Sequence, residues 1–151
     1  IYIMDFISHN EEETKVIAET LGRGLKPGSI ILAYGTLGAG KTCFAQGLAA
    51  GIGITKKVNS PTFNIIKEYL GNKLNFYHID AYRLEDKNSV SDIGFEEIFG
   101  DLESISYVEW PEFIIDYLKG YNVIKLTITP DDNTGYRKIS LEEVKLWTNY
   151  I

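Results

Sequence analysis

The sequence predicts an α/β domain: a mixed β-sheet with helices on both faces and an antiparallel hairpin near its C-terminal end. Three observations carry this expectation. Strand-like and helix-period segments alternate through the first two thirds of the chain. The run Ser29-Ile30-Ile31-Leu32-Ala33-Tyr34 is apolar without alternation, as in a strand covered on both faces. In the last third, Ile124, Leu126 and Ile128 alternate with Lys125 and Thr127, and the pattern resumes at Ile139 and Leu141 beyond the turn-rich stretch 130–135. With 151 residues, no internal repeat and no low-complexity linker, residues 1–151 are expected to form one continuous domain.

In chain order, Tyr2 to Ile7 reads as an opening strand. The tetrad Ser8-His9-Asn10-Glu11 has capping-box spacing and so predicts a helix start. Ile17, Leu21 and Leu25, four apart, give that helix one apolar stripe, and Pro27-Gly28 ends it. The buried strand 29–34 runs straight into a glycine-rich loop. From Lys41, a second helix is expected on the spacing of Phe44, Leu48 and Ile52, ended by Gly51 and Gly53. Phe63 to Leu70 and Leu74 to Ile79 read as two strands joined by a turn at Gly71-Asn72. Asp92 to Phe99 reads as a short helix and Ser104 to Glu109 as another buried strand. Pro111 to Leu118 reads as a helix with proline near its first position.

Composition narrows the function classes. With 44% hydrophobic and 24% charged residues the chain is an ordinary globular one. No segment approaches the roughly 18 apolar residues of a membrane helix, and no basic-then-apolar leader opens the sequence, so a soluble, cytoplasmic protein is expected. A single cysteine, Cys43, excludes an internal disulfide framework. His9 and His78 are the only histidines, so a metal would have oxygen ligands. Fifteen basic against 21 acidic residues give a net charge of −6. That balance repels a polyanion, and direct tRNA or other nucleic-acid binding by the isolated chain is not expected.

Gly35-Thr36-Leu37-Gly38-Ala39-Gly40-Lys41-Thr42 fits the phosphate-loop pattern and lies between a predicted strand and a predicted helix, the setting that pattern requires. The expected fold is therefore a single P-loop NTPase-like domain. Glycines allow consecutive amides, from Thr36 through Leu37, Gly38, Ala39 and Gly40 to Cys43, to turn toward one point, and the helix adds its positive end there. Lys41 supplies a mobile ammonium for the β- and γ-phosphates, and the Thr42 hydroxyl can join a magnesium shell. A nucleoside triphosphate with Mg2+ is the implied ligand.

Such a ligand needs a carboxylate at a neighbouring strand end. Asp80 follows Phe76-Tyr77-His78-Ile79, and Glu109 follows Ile105-Ser106-Tyr107-Val108; both sit where open α/β sheets place their ligands. One would hold the metal and the other orient an attacking water, with the two roles interchangeable at this level. Thr62, in Ser60-Pro61-Thr62-Phe63, could report an intact triphosphate, or it could belong to an ordinary proline turn. Arg83, three residues beyond Asp80, could pair with an acid or reach phosphate. His78 reads as a packed strand residue. Cys43 could carry a lowered thiol pKa at the helix start or be a buried, inert thiol. Trp110, beside Glu109, could be core, lid or a stacking surface for the nucleotide.

These pieces together resemble the TsaE family, formerly YjeE, small bacterial ATPases required for threonylcarbamoyladenosine formation in tRNA. The resemblance rests on the Gly35–Thr42 loop, on Ser60-Pro61-Thr62-Phe63, on His78-Ile79-Asp80-Ala81-Tyr82-Arg83 and on Glu109-Trp110, in that order. It implies ATP with Mg2+, slow hydrolysis, and work with the TsaB and TsaD proteins, resetting that pair between rounds of transfer. By resemblance Lys41 and Thr42 bind phosphate and magnesium, Thr62 lies in a switch-like loop, Asp80 and Glu109 are the functional acids, and Trp110 belongs to the same site. Thr36 stands where an acidic residue is usual and Cys43 where a second threonine is usual. Neither change removes a phosphate-binding group, because the loop acts there through backbone amides. Two other readings use the same loop. A small-molecule kinase would need an acceptor pocket and an arginine-rich lid, which three scattered arginines do not provide. A nucleotide-gated binding module would bind ATP with hydrolysis incidental.

Overall fold

The computed structural model describes residues 3–36, 38–61, 65–84 and 94–146, with the Arg83 side chain outside that description. Among the described residues the regular elements are, in order, β1 (Ile3–Ser8), α1 (Glu11–Arg23), β2 (Ile30–Tyr34), α2 (Lys41–Gly51), β3 (Ile66–Tyr69), β4 (Asn75–Asp80), α3 (Phe95–Phe99), β5 (Ser104–Glu109), β6 (Asn122–Pro130) and β7 (Arg137–Lys145). Two 3-10 segments, Ala81–Arg83 and Pro111–Tyr117, follow β4 and β5.

All seven strands join one sheet in the order β1-β7-β6-β2-β5-β4-β3. The four inner strands β6, β2, β5 and β4 run parallel. Antiparallel partners flank them, β3 on β4 at one side and the β6–β7 hairpin with β1 at the other. The parallel centre explains the unbroken apolar run of β2, whose residues Ile30 to Ala33 alternate between two cores. Ile31 and Ala33 pack with Phe44, Leu48 and Tyr107 beneath α1 and α2. Ile30 and Leu32 pack with Phe95, Phe99, Ile114 and Leu118 on the opposite face. Helical segments therefore cover both faces, as expected.

The two helices on the first face lie unusually close. A Cβ built on Gly47 of α2 would come within 2.5 Å of the Lys15 carbonyl oxygen, and one on Gly22 of α1 within 2.6 Å of that of Leu48. Glycine at these positions sets the interhelix spacing, so α1 rides directly on the helix that follows the phosphate loop.

Local structure departs from expectation in four places. The cap of α1 is Asn10 rather than Ser8: Asn10 Oδ1 accepts from Glu13 N at 2.8 Å, while Ser8 is buried and shares a hydroxyl hydrogen bond with Thr14. Glu13 in turn accepts from the amide of His9, the residue before the cap, at 2.7 Å, so the helix start lies two residues later than expected, with Ser8 still in β1. The turn at Gly71-Asn72 widens into the connection 70–74, where Asn75 Oδ1 accepts from Gly71 N. Pro111–Tyr117 is 3-10 rather than α-helical, with Ile114 at φ −129° breaking its regularity. The expected helix from Asp92 begins at Phe95 among the described residues, and Phe63 lies outside them.

Candidate functional site

The site forms where β2, β5 and β4 end and α2 begins. Beyond Tyr34 the chain turns through the loop, with Ala39 N donating to Thr36 O at 3.1 Å. Gly38 (φ 79°) and Gly40 (φ 108°) hold left-handed backbone that L side chains rarely adopt. Gly40 is the N-cap of α2 and provides no side-chain cap. The amides of Lys41, Thr42 and Cys43 therefore point out of the helix start without an intrahelical partner. A Cβ on Gly38 would meet nothing within 4 Å, and Gly38 and Gly40 both border a cleft. A row of uncapped amides over an open concavity is the cradle a phosphate chain fits.

Around this cradle lies a cleft of about 310 Å³ whose walls include Lys41, Thr42, Asp80, Glu109, Trp110 and Arg137. Lys41 is only 5% exposed. Its ammonium donates to Gly35 O at 3.0 Å and lies 3.9 Å from the centroid of the Trp110 ring. Burial pushes its pKa down, and the nearby charges of Glu109, Asp80 and Glu112 partly oppose this. Tyr107, wholly buried beneath α2, donates from Oη to the Lys41 carbonyl oxygen at 2.7 Å and anchors the first helical turn from below.

Asp80 and Glu109 close neighbouring parallel strands as register partners, so the sheet itself brings the two carboxylates together. Asp80 is half-buried, and its Oδ1 accepts from Tyr82 N at 3.0 Å, starting the 3-10 turn. Glu109 is 6% exposed, and its Oε2 lies 2.5 Å from Nε2 of the fully buried His78. A carboxylate can only accept, so Nε2 is the donor of this contact, while the buried Nδ1 meets no partner among the described residues. Trp110 holds φ 56°, ψ 52°, the one non-glycine residue with positive φ among those described, and stacks at a tilt on Tyr82 with centroids 5.1 Å apart. Its indole lines the cleft.

The structure thus brings Lys41, Thr42, Asp80, Glu109 and Trp110 into one cleft that Gly38, Gly40 and Cys43 also line. Thr36 is exposed and Ala39 is buried beneath the loop. Leu37 and Thr62 lie outside the described residues. The Cys43 thiol is pushed up by burial and donates to Glu11 O at 3.4 Å, which matches the inert alternative rather than the activated one. Among the described residues no three His, Cys, Asp or Glu side chains cluster as a self-sufficient metal site. Thr42 with two adjacent carboxylates is instead the hard-oxygen donor set that suits Mg2+ shared with phosphate oxygens. His78 is a packed strand residue, as expected, wholly buried behind Glu109 and against Phe76 and Tyr107. One residue lining the cleft was missed from sequence. Arg137 lies far along the chain and has no local motif.

The sequence profile of the TsaE family, described as threonylcarbamoyl adenosine biosynthesis protein TsaE, matches residues 8–139. The chain belongs to the TsaE family. It is 48% identical over 109 residues to the tRNA threonylcarbamoyladenosine biosynthesis protein TsaE of Bacillus subtilis (strain 168), covering 72% of this chain and 67% of that protein. It is 38% identical over 132 residues to the corresponding TsaE protein of Treponema pallidum (strain Nichols), covering 86% and 96%. The crystal structure of Bacillus subtilis YdiB superimposes with a TM-score of 0.80 at 34% identity, covering 95% of this chain and 86% of that one. The seven-stranded mixed sheet of this TsaE-family chain is therefore shared with an experimentally determined fold. No described helix is long and apolar enough to cross a membrane.

Proposed function

We propose that the protein binds ATP with Mg2+ at the phosphate loop, hydrolyses it slowly, and acts in the formation of threonylcarbamoyladenosine in tRNA together with TsaB and TsaD. The observation that carries the nucleotide reading is the uncapped start of α2. Three outward amides, the Lys41 ammonium and the Thr42 hydroxyl face one cleft whose far wall is Asp80 and Glu109. Membership of a family described by threonylcarbamoyl adenosine biosynthesis supports the pathway.

In this reading Lys41 leaves Gly35 O and the Trp110 face to meet the β- and γ-phosphates, and the amides of 38–43 bind along the chain of phosphates. Thr42 and one of the two carboxylates would hold the cation, which supplies charge neutralisation at the leaving phosphate oxygens. The other carboxylate orients water. His78 keeps the Glu109 carboxylate from rotating, so the acid presents its second oxygen to the cleft. TsaB and TsaD would then couple the nucleotide state to release of the modified tRNA, and reset of that pair is the step assigned to this chain.

The test is reconstitution of multiple-turnover tRNA modification with TsaB, TsaD and a threonylcarbamoyl-adenylate source. Turnover should stop after the first round without this chain, and with Asp80→Ala or Glu109→Ala. Full-rate modification by variants that bind ATP yet fail to hydrolyse it would instead make this chain a nucleotide-gated binding module.

A further inference from the structure

A second concavity, of about 350 Å³, is lined by Lys15 of α1 and by Lys56 and Lys57 of the loop after α2, together with Gln46 and Thr55. That loop is pinned along its length. Ile54 N donates to Ala49 O at 3.0 Å, Gln46 Nε2 donates to Val58 O at 2.9 Å, and Asn59 N donates to the Tyr69 hydroxyl at 3.2 Å. Lys67 joins the group from the edge strand β3. Its ammonium lies 5.4 Å from the centroid of the same Tyr69 ring, whose hydroxyl reaches Asn59, two residues beyond Lys57. All four lysines are exposed, and none forms an ion pair among the described residues.

The acids around this flank are engaged or face elsewhere. Glu19 lines the same concavity but holds Arg23 at 2.6 Å. Glu68, next to Lys67 in β3, faces the opposite side of the sheet, where it accepts from the hydroxyl of Tyr77. Glu11 and Glu12 open α1 one turn before Lys15, and there the basic patch ends. The net charge of −6 is thus unevenly spread, and its average does not describe this surface.

The kind of cation present selects the partner. Protein interfaces centre on aromatic rings and arginine and are poor in lysine, yet no aromatic ring or arginine lines this concavity. Splayed single-stranded bases would likewise need rings to stack on. Ammonium point charges on a pinned loop suit the phosphates of a helical nucleic acid, which they neutralise without reading sequence. We propose that Lys15, Lys56, Lys57 and Lys67 form a docking surface for the phosphate backbone of a helical stem of tRNA. This rests on the tRNA pathway proposed above and not on the nucleotide reading. Val58 lines the lysine concavity and Ser60 the phosphate-loop cleft, so docked RNA and nucleotide would lie on either side of one short stretch of chain.

Fluorescence anisotropy of a labelled, unmodified tRNA transcript with the full chain, without nucleotide, tests this between about 25 and 200 mM salt. Four phosphate contacts give a slope of log K against log salt of about −3. The double variant Lys56→Gln, Lys57→Gln should weaken binding by about tenfold or more at the lower salt and flatten the slope by about two. Lys67→Gln should flatten it by about one. Lys138→Gln, which removes an exposed lysine from β7 across the sheet, should change neither affinity nor slope. Melting and ATP uptake should match wild type in all of these variants, because no protein contact is lost. Absence of salt-sensitive tRNA binding by the wild-type chain would overturn the proposal, as would binding that the double variant retains or that Lys138→Gln weakens equally. Loss of association with TsaB and TsaD by the double variant, with no tRNA bound by wild type, would overturn it in favour of an acidic protein surface as the occupant. Failure of the wild-type chain to take up ATP would remove the nucleotide reading alone, since tRNA binding is measured without nucleotide.

Discussion

The Lys41 ammonium rests against Trp110, 3.9 Å from the ring centroid, while donating to Gly35 O. Neither partner is a carboxylate, so a buried positive charge is held by a carbonyl and a ring face, contacts that a phosphate can outbid. Lys41→Met should therefore separate binding from folding. Uptake of ATP with Mg2+ should fall by about a hundredfold or more. Melting without nucleotide should hold steady or rise, because the desolvated ammonium is gone. The pH dependence has a definite sign. The lowered pKa means the folded chain holds that proton less tightly than the unfolded one, so this group subtracts stability at neutral pH and ceases to do so as pH rises past the lowered value toward the ordinary lysine range. That upward trend should vanish in Lys41→Met; its persistence would assign it elsewhere.

His78 and Glu109 should behave as a unit. Replacing His78 by Asn leaves a nearly buried carboxylate short of its donor, at a cost of about 1.5–3 kcal/mol in urea unfolding. In a Glu109→Gln background the same change should cost less by about 1 kcal/mol, the coupling expected of residues in direct contact. Strict additivity would show that the 2.5 Å contact contributes nothing specific.

Glycine spacing between α1 and α2 makes a contrast available within one chain. Gly47→Ala forces a methyl into the Lys15 backbone and should destabilise by about 1–3 kcal/mol. Gly24→Ala, whose nearest neighbour would be 3.8 Å away and whose φ is negative, should stay within about 0.5 kcal/mol of wild type. Similar losses at both would mean that helix contact does not depend on the missing side chains.

Asp101 accepts from Ser104 Oγ at 2.6 Å and Glu103 N at 2.9 Å, and these hydrogen bonds hold its carboxyl below the usual range, that from Ser104 most of all. A depressed carboxyl contributes stability that is fully present above the unfolded-state pKa and is lost as pH falls through the folded value. Asp101→Asn should accordingly cost stability at pH 7, modestly given its exposure, and nothing once pH is well below 4. A cost that does not change across that range would show that the carboxylate charge is not what the turn uses.

Much of this architecture was legible from residue pattern because its signals are local. The unalternating run in β2, the loop between strand and helix, and acids closing apolar runs each encode their own surroundings. What escaped depends on relations that no window of sequence contains. Asn10 caps α1 because Ser8 is drawn into pairing with Arg137, a partner on the last strand. Pro111 starts a helical segment as expected, but Trp110 enters it with left-handed backbone and the segment tightens to 3-10. His78 meets Glu109 only through the β4–β5 register, and Arg137 reaches Gly40 only because β7 folds back beside β6.

The ladder between β1 and β7 joins two strands more than 120 residues apart, and among the described residues β1 has no other strand neighbour. During synthesis, then, β1 must wait for this pairing until the chain has been made through β7. Shortening the protein before residue 137 would leave β1 without its hydrogen-bonding edge, even though the loop and both acids were already in place.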